Sequence, residues 1–424
     1  MRDTGPAPRR FAGSGQERRE PSHPDVGDQP RGQLWLTLEW HCANARHSDT
    51  RVIPGFDTRR DLLPRELADG LHAGTEPHTA SHSFAPGEML DEVPPSGQLT
   101  IASELFNRAY IRGANVEPRI GRFYPRALLA GSPEITPGDL RPCRLIGSDG
   151  QSLHIDLDHP LARRELTVSA RLVDPRAGDS PGPGEERDLA RLACDNGPGM
   201  QARWHNRPTD FFRDDPFRRA TTQADAAFYA TPRFTGHVDR TASTQIRELY
   251  GRLLPAGGML LDLMSSMQSH LPEGHAAKVT GLGMNREELD ANPQLHQRLV
   301  HDLNGQPRLP FKDAHFDAAV CSLSVEYLVR PFEIFAEVAR VLKPGAPFVV
   351  SFSDRWFPPK VIRAWEWAHP FERPGIVLEY FLRDKRFDRL HTFSLRGLPR
   401  PDDDKYAARR DASDPVFAVW GSRV

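Results

Sequence analysis

The sequence predicts an α/β protein in two parts, a C-terminal doubly wound parallel sheet and, before it, a separate small domain of mainly antiparallel strands. Three observations predict this. The chain has 424 residues, more than one ordinary core holds, since domains cluster at roughly 100–200 residues. Past Thr241, continuous apolar runs alternate with helical spacing, as strands buried on both faces do between covering helices. Before about Pro175, the apolar runs are short, several alternate with period two, and turn residues break them.

Taken in order, residues 1–32 hold Gly, Pro, Asp, Glu and Arg with hardly any aliphatic side chain. So little apolar surface cannot offset ordering entropy, and a disordered tail is expected. Residues 33–175 form the β domain, with short apolar runs at Leu34 to Leu38, Gly70-Leu71, Arg144 to Ile146, Leu153 to Leu157 and Leu166 to Val173. A cluster of Pro, Gly and charge from Asp174 to Glu186 reads as exposed chain and sets a linker over 176–196. Residues 197–240 carry Trp204, Phe211, Phe212, Phe217, Phe228, Tyr229 and Phe234. That is too apolar for free linker, so a bridge or lid packed on the second domain is expected.

The second domain covers 241–424. Ile246, Leu249, Tyr250, Leu253 and Leu254 follow the spacing of an amphipathic helix stopped by Pro255 to Gly258. Strands are expected at Met259 to Leu263, Lys278 to Leu282, Leu299 to Leu303, Ala318 to Ser322 and Pro347 to Phe352. Phe332, Phe335, Val338, Ala339 and Leu342 share a helix face that Lys343-Pro344-Gly345 ends. Ile376 to Leu382 and Pro415 to Trp420 read as the closing strands, with a charged insertion between them.

Charge and composition narrow the partners. Lys and Arg number 55 against 57 Asp and Glu, a net charge of -2, so no global field draws nucleic acid or anionic lipid. No window approaches the ~20 apolar residues of a membrane span, and the start lacks a signal-peptide core, so a cytoplasmic protein is expected. Cys42, Cys143, Cys194 and Cys321 form no C-x-x-C pair and read as reduced, mostly buried thiols. His154 and His159 are single imidazoles, and no metal site is expected.

Three segments carry a family resemblance. Leu260-Leu261-Asp262-Leu263 ends the first strand, Leu309-Pro310-Phe311 leads to Phe316-Asp317-Ala318-Ala319-Val320, and Glu337-Val338-Ala339-Arg340-Val341-Leu342-Lys343-Pro344-Gly345 follows in register. Together they resemble class I S-adenosylmethionine-dependent methyltransferases, of the methyltransferase type 11-like kind, over about 180 residues of the chain. The resemblance implies a Rossmann-like, doubly wound seven-stranded sheet and S-adenosyl-L-methionine as cofactor. Ligands of such sheets sit beyond the carboxyl ends of the strands. By resemblance, Asp262 lies at the first turn near the aminoacyl end, Asp302 beside Leu303 accepts from the adenine amine, and the loop from Cys321 to Tyr327, with Ser322, Glu326 and Tyr327, lines the reacting end. Tyr229, from the bridge, is placed with Glu326 and Tyr327 on the substrate side.

Two departures stand out. Where the family has Gly-x-Gly-x-Gly, this chain reads Met264-Ser265-Ser266-Met267-Gln268, and Gly283 replaces the ribose-binding carboxylate after the second strand. Asn285 is then left to bond a ribose hydroxyl, and Ser265 and Ser266 to bind the cofactor carboxylate. The run Asp262 to Pro272 resembles a variant loop of methyltransferase-like proteins that keeps the fold. Ser269-His270 lacks a positioned acid and does not make a hydrolase pair.

The first half resembles the SlyD-like branch of the FKBP prolyl isomerases through Asp158-His159-Pro160-Leu161-Ala162-Arg163-Arg164-Glu165-Leu166-Thr167-Val168 and Leu67-Ala68-Asp69-Gly70-Leu71-His72-Ala73-Gly74. Isomerisation needs an apolar aromatic pocket. Val168 stands at the family's Phe position, no Trp occurs between Trp40 and Trp204, and Phe56, Asp57, Phe123 and Tyr124 supply part of such a pocket. The expected function is a methyltransferase whose FKBP-like module presents an acceptor the sequence leaves unidentified, a polypeptide among the candidates. The alternatives are an FKBP-type peptidyl-prolyl isomerase or chaperone with a noncatalytic methyltransferase fold, and a noncatalytic cofactor sensor.

Overall fold

The computed structural model describes residues 31–72, 78–90, 97–110, 115–129, 131–133, 135–176, 185–195 and 197–424. The expected tail thus lies outside the described residues except for Arg31 and Gly32, which open the first strand.

In the first half, β1 (Arg31–Cys42) and β2 (Ala45–Asp57) form a long hairpin, followed by β3 (Asp61–Leu62), α1 (Arg65–His72) and β4 (Thr79–Phe84). Then come β5 (Gln98–Ala102), β6 (Phe123–Pro125), β7 (Pro142–Ser148), β8 (Ser152–Asp156) and β9 (Leu166–Arg176). Strands β5, β8, β7 and β6 make a four-stranded antiparallel sheet between β4 and β9, while β9 returns to lie antiparallel between β1 and β4. Alternation set this up. Leu34, Leu36, Leu38 and Trp40 of β1 and Leu166, Val168, Ala170 and Leu172 of β9 all point into one core, against Leu67 and Leu71 of α1. Gly70-Leu71, expected among the strand-like runs, belongs to α1 instead.

Part of the expected linker is built into this core. Residues 177–184 and Asn196 lie outside the described residues, but the chain between them forms β10 (Arg187–Asp188), paired with β3, and α2 (Leu189–Cys194). Asp188 caps α2 by accepting from the Arg191 amide, and Leu189, Ala193 and Cys194 are buried. A single capped amphipathic turn was too short to stand out beside the Pro/Gly cluster.

The second half begins with α3 (Asp225–Phe228) in the bridge and α4 (Arg240–Leu253). It continues through β11 (Met259–Leu263), β12 (Lys278–Gly283), α5 (Arg286–Asp290), β13 (Gln297–Val300), β14 (Ala318–Ser322), α6 (Pro331–Val341) and β15 (Pro347–Phe352). It closes with α7 (Arg363–Glu366), α8 (Arg373–Asp384), β16 (Phe387–Arg396) and β17 (Val416–Arg423). The strands run in the order β13-β12-β11-β14-β15-β17-β16, the first five parallel and β17 antiparallel to both neighbours. Ala242, Ile246 and Tyr250 of α4 bury against one face of the sheet. Phe335, Val338, Ile376, Val377 and Phe381 of α6 and α8 bury against the other.

Two expectations are corrected here. Ile376 to Leu382 is the middle of helix α8, not a closing strand. Residues 373–381 are buried all round, and a short continuous apolar run reads alike as a buried strand or a buried helix. The closing strand lies instead in the charged insertion, as β16.

The separation of the halves is the second correction. Strand β2 pairs in parallel with β16 from His391↔Arg46 to Arg396↔Arg51, so β2, β1, β9 and β4 extend one sheet to eleven strands. Pairing satisfies the backbone groups that two edges would leave open. Asp49, fully buried on β2, meets the Arg396 guanidinium at 3.0 Å and accepts from the Ser394 hydroxyl.

Candidate functional site

The polar turn after β11 is built around one carboxylate. Asp262 is 1% exposed, and its Oδ2 accepts from the hydroxyls of Ser265 and Ser269, both at 2.6 Å. Asn292 donates to the Ser269 oxygen at 2.9 Å and to the Ser266 carbonyl, which ties the turn to the segment after α5. Burial pushes the Asp262 carboxyl up to about 6 even against the two serine hydroxyls, and its Oδ1 is buried with no hydrogen-bond partner. Met264 enters the turn at φ 54°, a left-handed conformation carried without glycine.

A pocket opens beyond the carboxyl ends of β11, β12, β13 and β14. Met264, Ser265 and Ser266 line it from the turn, Leu282 to Asn285 and Glu288 from β12 and the start of α5, His301 to Asn304 from the end of β13, and Leu323, Ser324 and Tyr327 from the loop after β14. The bridge covers it with Asp225, Tyr229, Arg233 and His237, and Phe357 closes the side. The free cavity is about 80 Å³, well below the roughly 300–1,000 Å³ of ligand pockets.

The cover is pinned at two places. Asp225, buried, accepts from the fully buried Lys360 ammonium at 2.7 Å, from Arg219 at 3.0 Å and from Asn304 at 2.8 Å. Burial would raise the Asp225 carboxyl, but these donors outweigh it and hold it below the usual range. At the other end, Asn285 donates to the carbonyls of Tyr229 and Ala230 at 3.0 and 3.1 Å, and Glu288 accepts from the Arg233 amide at 2.7 Å. The Arg233 guanidinium lies over the rings of Phe228, Tyr229 and Phe357.

Of the residues singled out from the sequence, Tyr229, Ser265, Ser266, Asn285, Asp302, Leu303 and Tyr327 meet at this pocket. Asp302 is oriented by the amides of Asn304 and Gly305 on its Oδ1. Tyr327 accepts from the Phe357 amide and stacks on that ring. Asp262, Ser322 and Glu326 do not line the pocket. Asp262 holds the turn from behind, and Ser322 bonds the Tyr250 hydroxyl at 2.6 Å. Glu326, 1% exposed, has an unpartnered Oε2 and is pushed by burial up to about 7.

The polar groups expected for ligand binding are largely committed within the chain. Ser265 bonds Asp262, Ser266 donates to Glu288 at 2.6 Å, and Asn285 uses its Oδ1 on the Glu288 amide and its Nδ2 on the bridge. Glu288, Arg233, His237, Asp225, Asn304 and Phe357 were not singled out. Only Glu288 left a signal, the N-cap spacing Asn285-x-x-Glu288.

Among the described residues no helix is long and apolar enough to cross a membrane. Among the described residues, too, no group of three or more His, Cys, Asp or Glu is arranged to hold a metal ion.

Five parallel strands with a covered polar pocket beyond their carboxyl ends place this half among open-sheet α/β folds, whose crevice at that end is where such folds take their ligands. Residues 264–350 match the family described as methyltransferase domain. Malonyl-[acyl-carrier protein] O-methyltransferase of Marinomonas sp. (strain MWYL1) is 34% identical over 91 residues, 22% of this chain and 33% of that protein. The O-methyltransferase cnsE of Penicillium expansum is 29% identical over 170 residues, 37% of this chain and 61% of that protein. The chain thus spans from a third to about three fifths of the length of these relatives. A SAM-dependent methyltransferase structure from Aquifex aeolicus is 17% identical with a TM-score of 0.30, covering 44% of this chain and 93% of that one.

Proposed function

We propose that the chain is an S-adenosylmethionine-dependent methyltransferase, with the cofactor in the pocket beyond β11, β12 and β13. One observation carries the reading: the family-matched segment contributes the turn and three of the strand ends that line a covered pocket. The donor set fits the cofactor's chemistry. Asp302 and Glu288 offer carboxylates to amine and hydroxyl donors, Met264, Leu282, Leu303 and Leu323 offer apolar faces to a base, and the unpartnered Asp262 Oδ1 lies behind the turn. Rings of Tyr229, Tyr327 and Phe357 offer the π faces that attract a cation.

When bound, the cofactor supplies an electrophilic methyl group on a sulfonium. The chain's part is positional. The cover and the stacked rings of Tyr327 and Phe357 would wall the reacting end and orient an acceptor there, since in-line transfer requires an approach of roughly 3–3.5 Å. Glu326 stays behind the wall as a protonatable carboxyl.

The first half is read as an FKBP/SlyD-like module that presents an acceptor still to be identified, with a polypeptide among the candidates. What supports this is its hairpin-and-helix sheet with an inserted four-stranded sheet, held over α7 and α8 by the buried pair Arg122–Glu372. A thermal-shift titration of the full chain tests the cofactor reading. Both S-adenosylmethionine and its demethylated product should raise the midpoint with concentration; a flat response at millimolar ligand would remove the reading. A protease-coupled proline-peptide assay distinguishes the isomerase alternative, which requires a rate above buffer.

A further inference from the structure

A cavity of about 780 Å³ lies where the inserted four-stranded sheet meets the bridge and α7 and α8. It shares no lining residue with the pocket at the strand ends. Its volume falls within the roughly 300–1,000 Å³ of ligand sites, which favour junctions of this kind. The wall is mainly apolar, with Tyr124 and Leu128 from the inserted sheet's side, Met200 and Phe211 from the bridge, and Trp367 and Ala368 from the link between α7 and α8. Tyr124 spends its hydroxyl within the chain, donating to the Glu117 carbonyl at 3.0 Å and accepting from the Arg119 amide at 2.8 Å, so its ring is what it offers a ligand. Trp367, 44% exposed, and Leu140 leave large apolar surface open at the rim.

The charges of the lining are unevenly placed. Arg122 and Glu372 neutralise each other as a buried pair. Arg119, with 11% of its side chain exposed, pairs with Asp214, 56% exposed, so the cation lies inside and its counter-ion outside. Arg213 and Glu117 are held in exposed pairs with Asp210 and Arg108, and Glu366 is exposed. Burial lowers the His369 imidazole below its ordinary value, which keeps it neutral. Arg363 stands apart. Its Nη1 donates to the Asp214 carbonyl at 3.1 Å and its guanidinium lies 4.1 Å from the centre of the Trp367 ring. Among the described residues it meets no carboxylate, and its Nε and Nη2 make no hydrogen bond. That edge is the fork that takes an acidic group by two parallel bonds.

We propose that this cavity is a second ligand site, for an amphipathic organic anion. An aromatic or acyl body packs between Tyr124, Leu128 and Trp367, and its acidic group takes the open edge of Arg363. The site stands independently of the cofactor reading, since none of its residues belongs to the pocket at the strand ends.

The test uses the full chain and two fluorescent dyes that share one body, 8-anilinonaphthalene-1-sulfonate and its uncharged parent N-phenyl-1-naphthylamine. Both should saturate at one site per chain, the sulfonate at least about tenfold more tightly. Arg363→Gln should bring the sulfonate down to the affinity of the parent dye, and Trp367→Ala should weaken both dyes several-fold. Leu140→Glu, at an exposed position on the rim, repeats the test without touching the core, and its added carboxylate should weaken the sulfonate more than the parent. S-adenosylhomocysteine at millimolar concentration should displace neither dye. Binding that does not saturate at one site, equal wild-type affinity for the two dyes, or a sulfonate preference that survives both Arg363→Gln and Leu140→Glu would overturn the proposal. So would displacement by S-adenosylhomocysteine, which puts the dye in the pocket at the strand ends, or unchanged binding in Trp367→Ala.

Discussion

The carbonyl oxygen of Ser265 occupies the space that a β-carbon on Gly283 would need, while the Ser265 amide donates at 2.8 Å to the carbonyl of Leu282. The glycine-free turn after β11 is therefore docked directly onto the end of β12. The two departures from the family pattern, missing glycines in one place and a new glycine in the other, are one structural feature. The turn brings its backbone in, and β12 gives up a side chain to let it.

Gly283→Ala follows from this. The obstructing atoms are backbone, which cannot swing aside, so overpacking is expected to cost about 1–3 kcal/mol. Urea unfolding checks it; an unchanged midpoint would mean that the turn is free to lift off.

Ser269 tests the support under the turn. Its hydroxyl, wholly buried, donates to Asp262 and accepts from Asn292. Ser269→Ala leaves the carboxylate with one donor and the Asn292 amide short of an acceptor, a loss of about 1–3 kcal/mol. The Asp262 carboxyl, pushed up to about 6 in the folded protein, should rise further, read as an upward-shifted titration by carboxyl-selective NMR.

Glu326 gives a pH dependence of definite sign. Burial raises its folded value to about 7 from 4.5, so between those values the folded state holds more protons than the unfolded state and stability falls as pH rises. Glu326→Gln removes this term. The variant should match the wild type near pH 4.5 and be more stable at pH 8, by up to about 3 kcal/mol. Thermal melts across this window decide it, and parallel curves would contradict it.

Arg122 and Glu372 join the inserted β sheet to α8. They meet at 2.7 Å with 8% and 1% of their side chains exposed, and Glu372 also accepts from the Phe123 and His369 amides. Arg122→Met strands that carboxylate and should cost about 3–5 kcal/mol. The double variant with Glu372→Gln should recover part of the loss. A strictly additive double-mutant cycle would show that the pair does not couple the halves.

Much of the sheet was legible because burial leaves a local trace. The strands at Met259, Lys278, Ala318 and Pro347 are continuous apolar runs buried on both faces, and the α4 and α6 stripes carry helical spacing. Ile376 to Leu382 failed for the same reason that the strands succeeded, since burial all round erases the periodicity that separates helix from strand. Strand β16 was passed over because its solvent-side Asp388 and Arg389 read as an insertion.

At the site, the sequence marked the segments but not their bonds. Met264 to Gln268, Asn285, Asp302 and Tyr327 were singled out, and all but Met267 and Gln268 line one pocket. That Asn285 holds Tyr229, that Ser266 and Arg233 share Glu288, and that Asp225 anchors the cover through Lys360 join positions from 22 to 135 residues apart. No local spacing encodes such pairs.

By itself the sequence determined which stretches bury a face and with what period, because each residue's hydrophobicity and backbone preference act locally. Only the tertiary structure decided what each face is buried against: β16 accepting β2 as its neighbour, and the bridge entering the polar corner of the pocket. Those choices are set by the pairing of open sheet edges and buried polar groups brought together from remote parts of the chain.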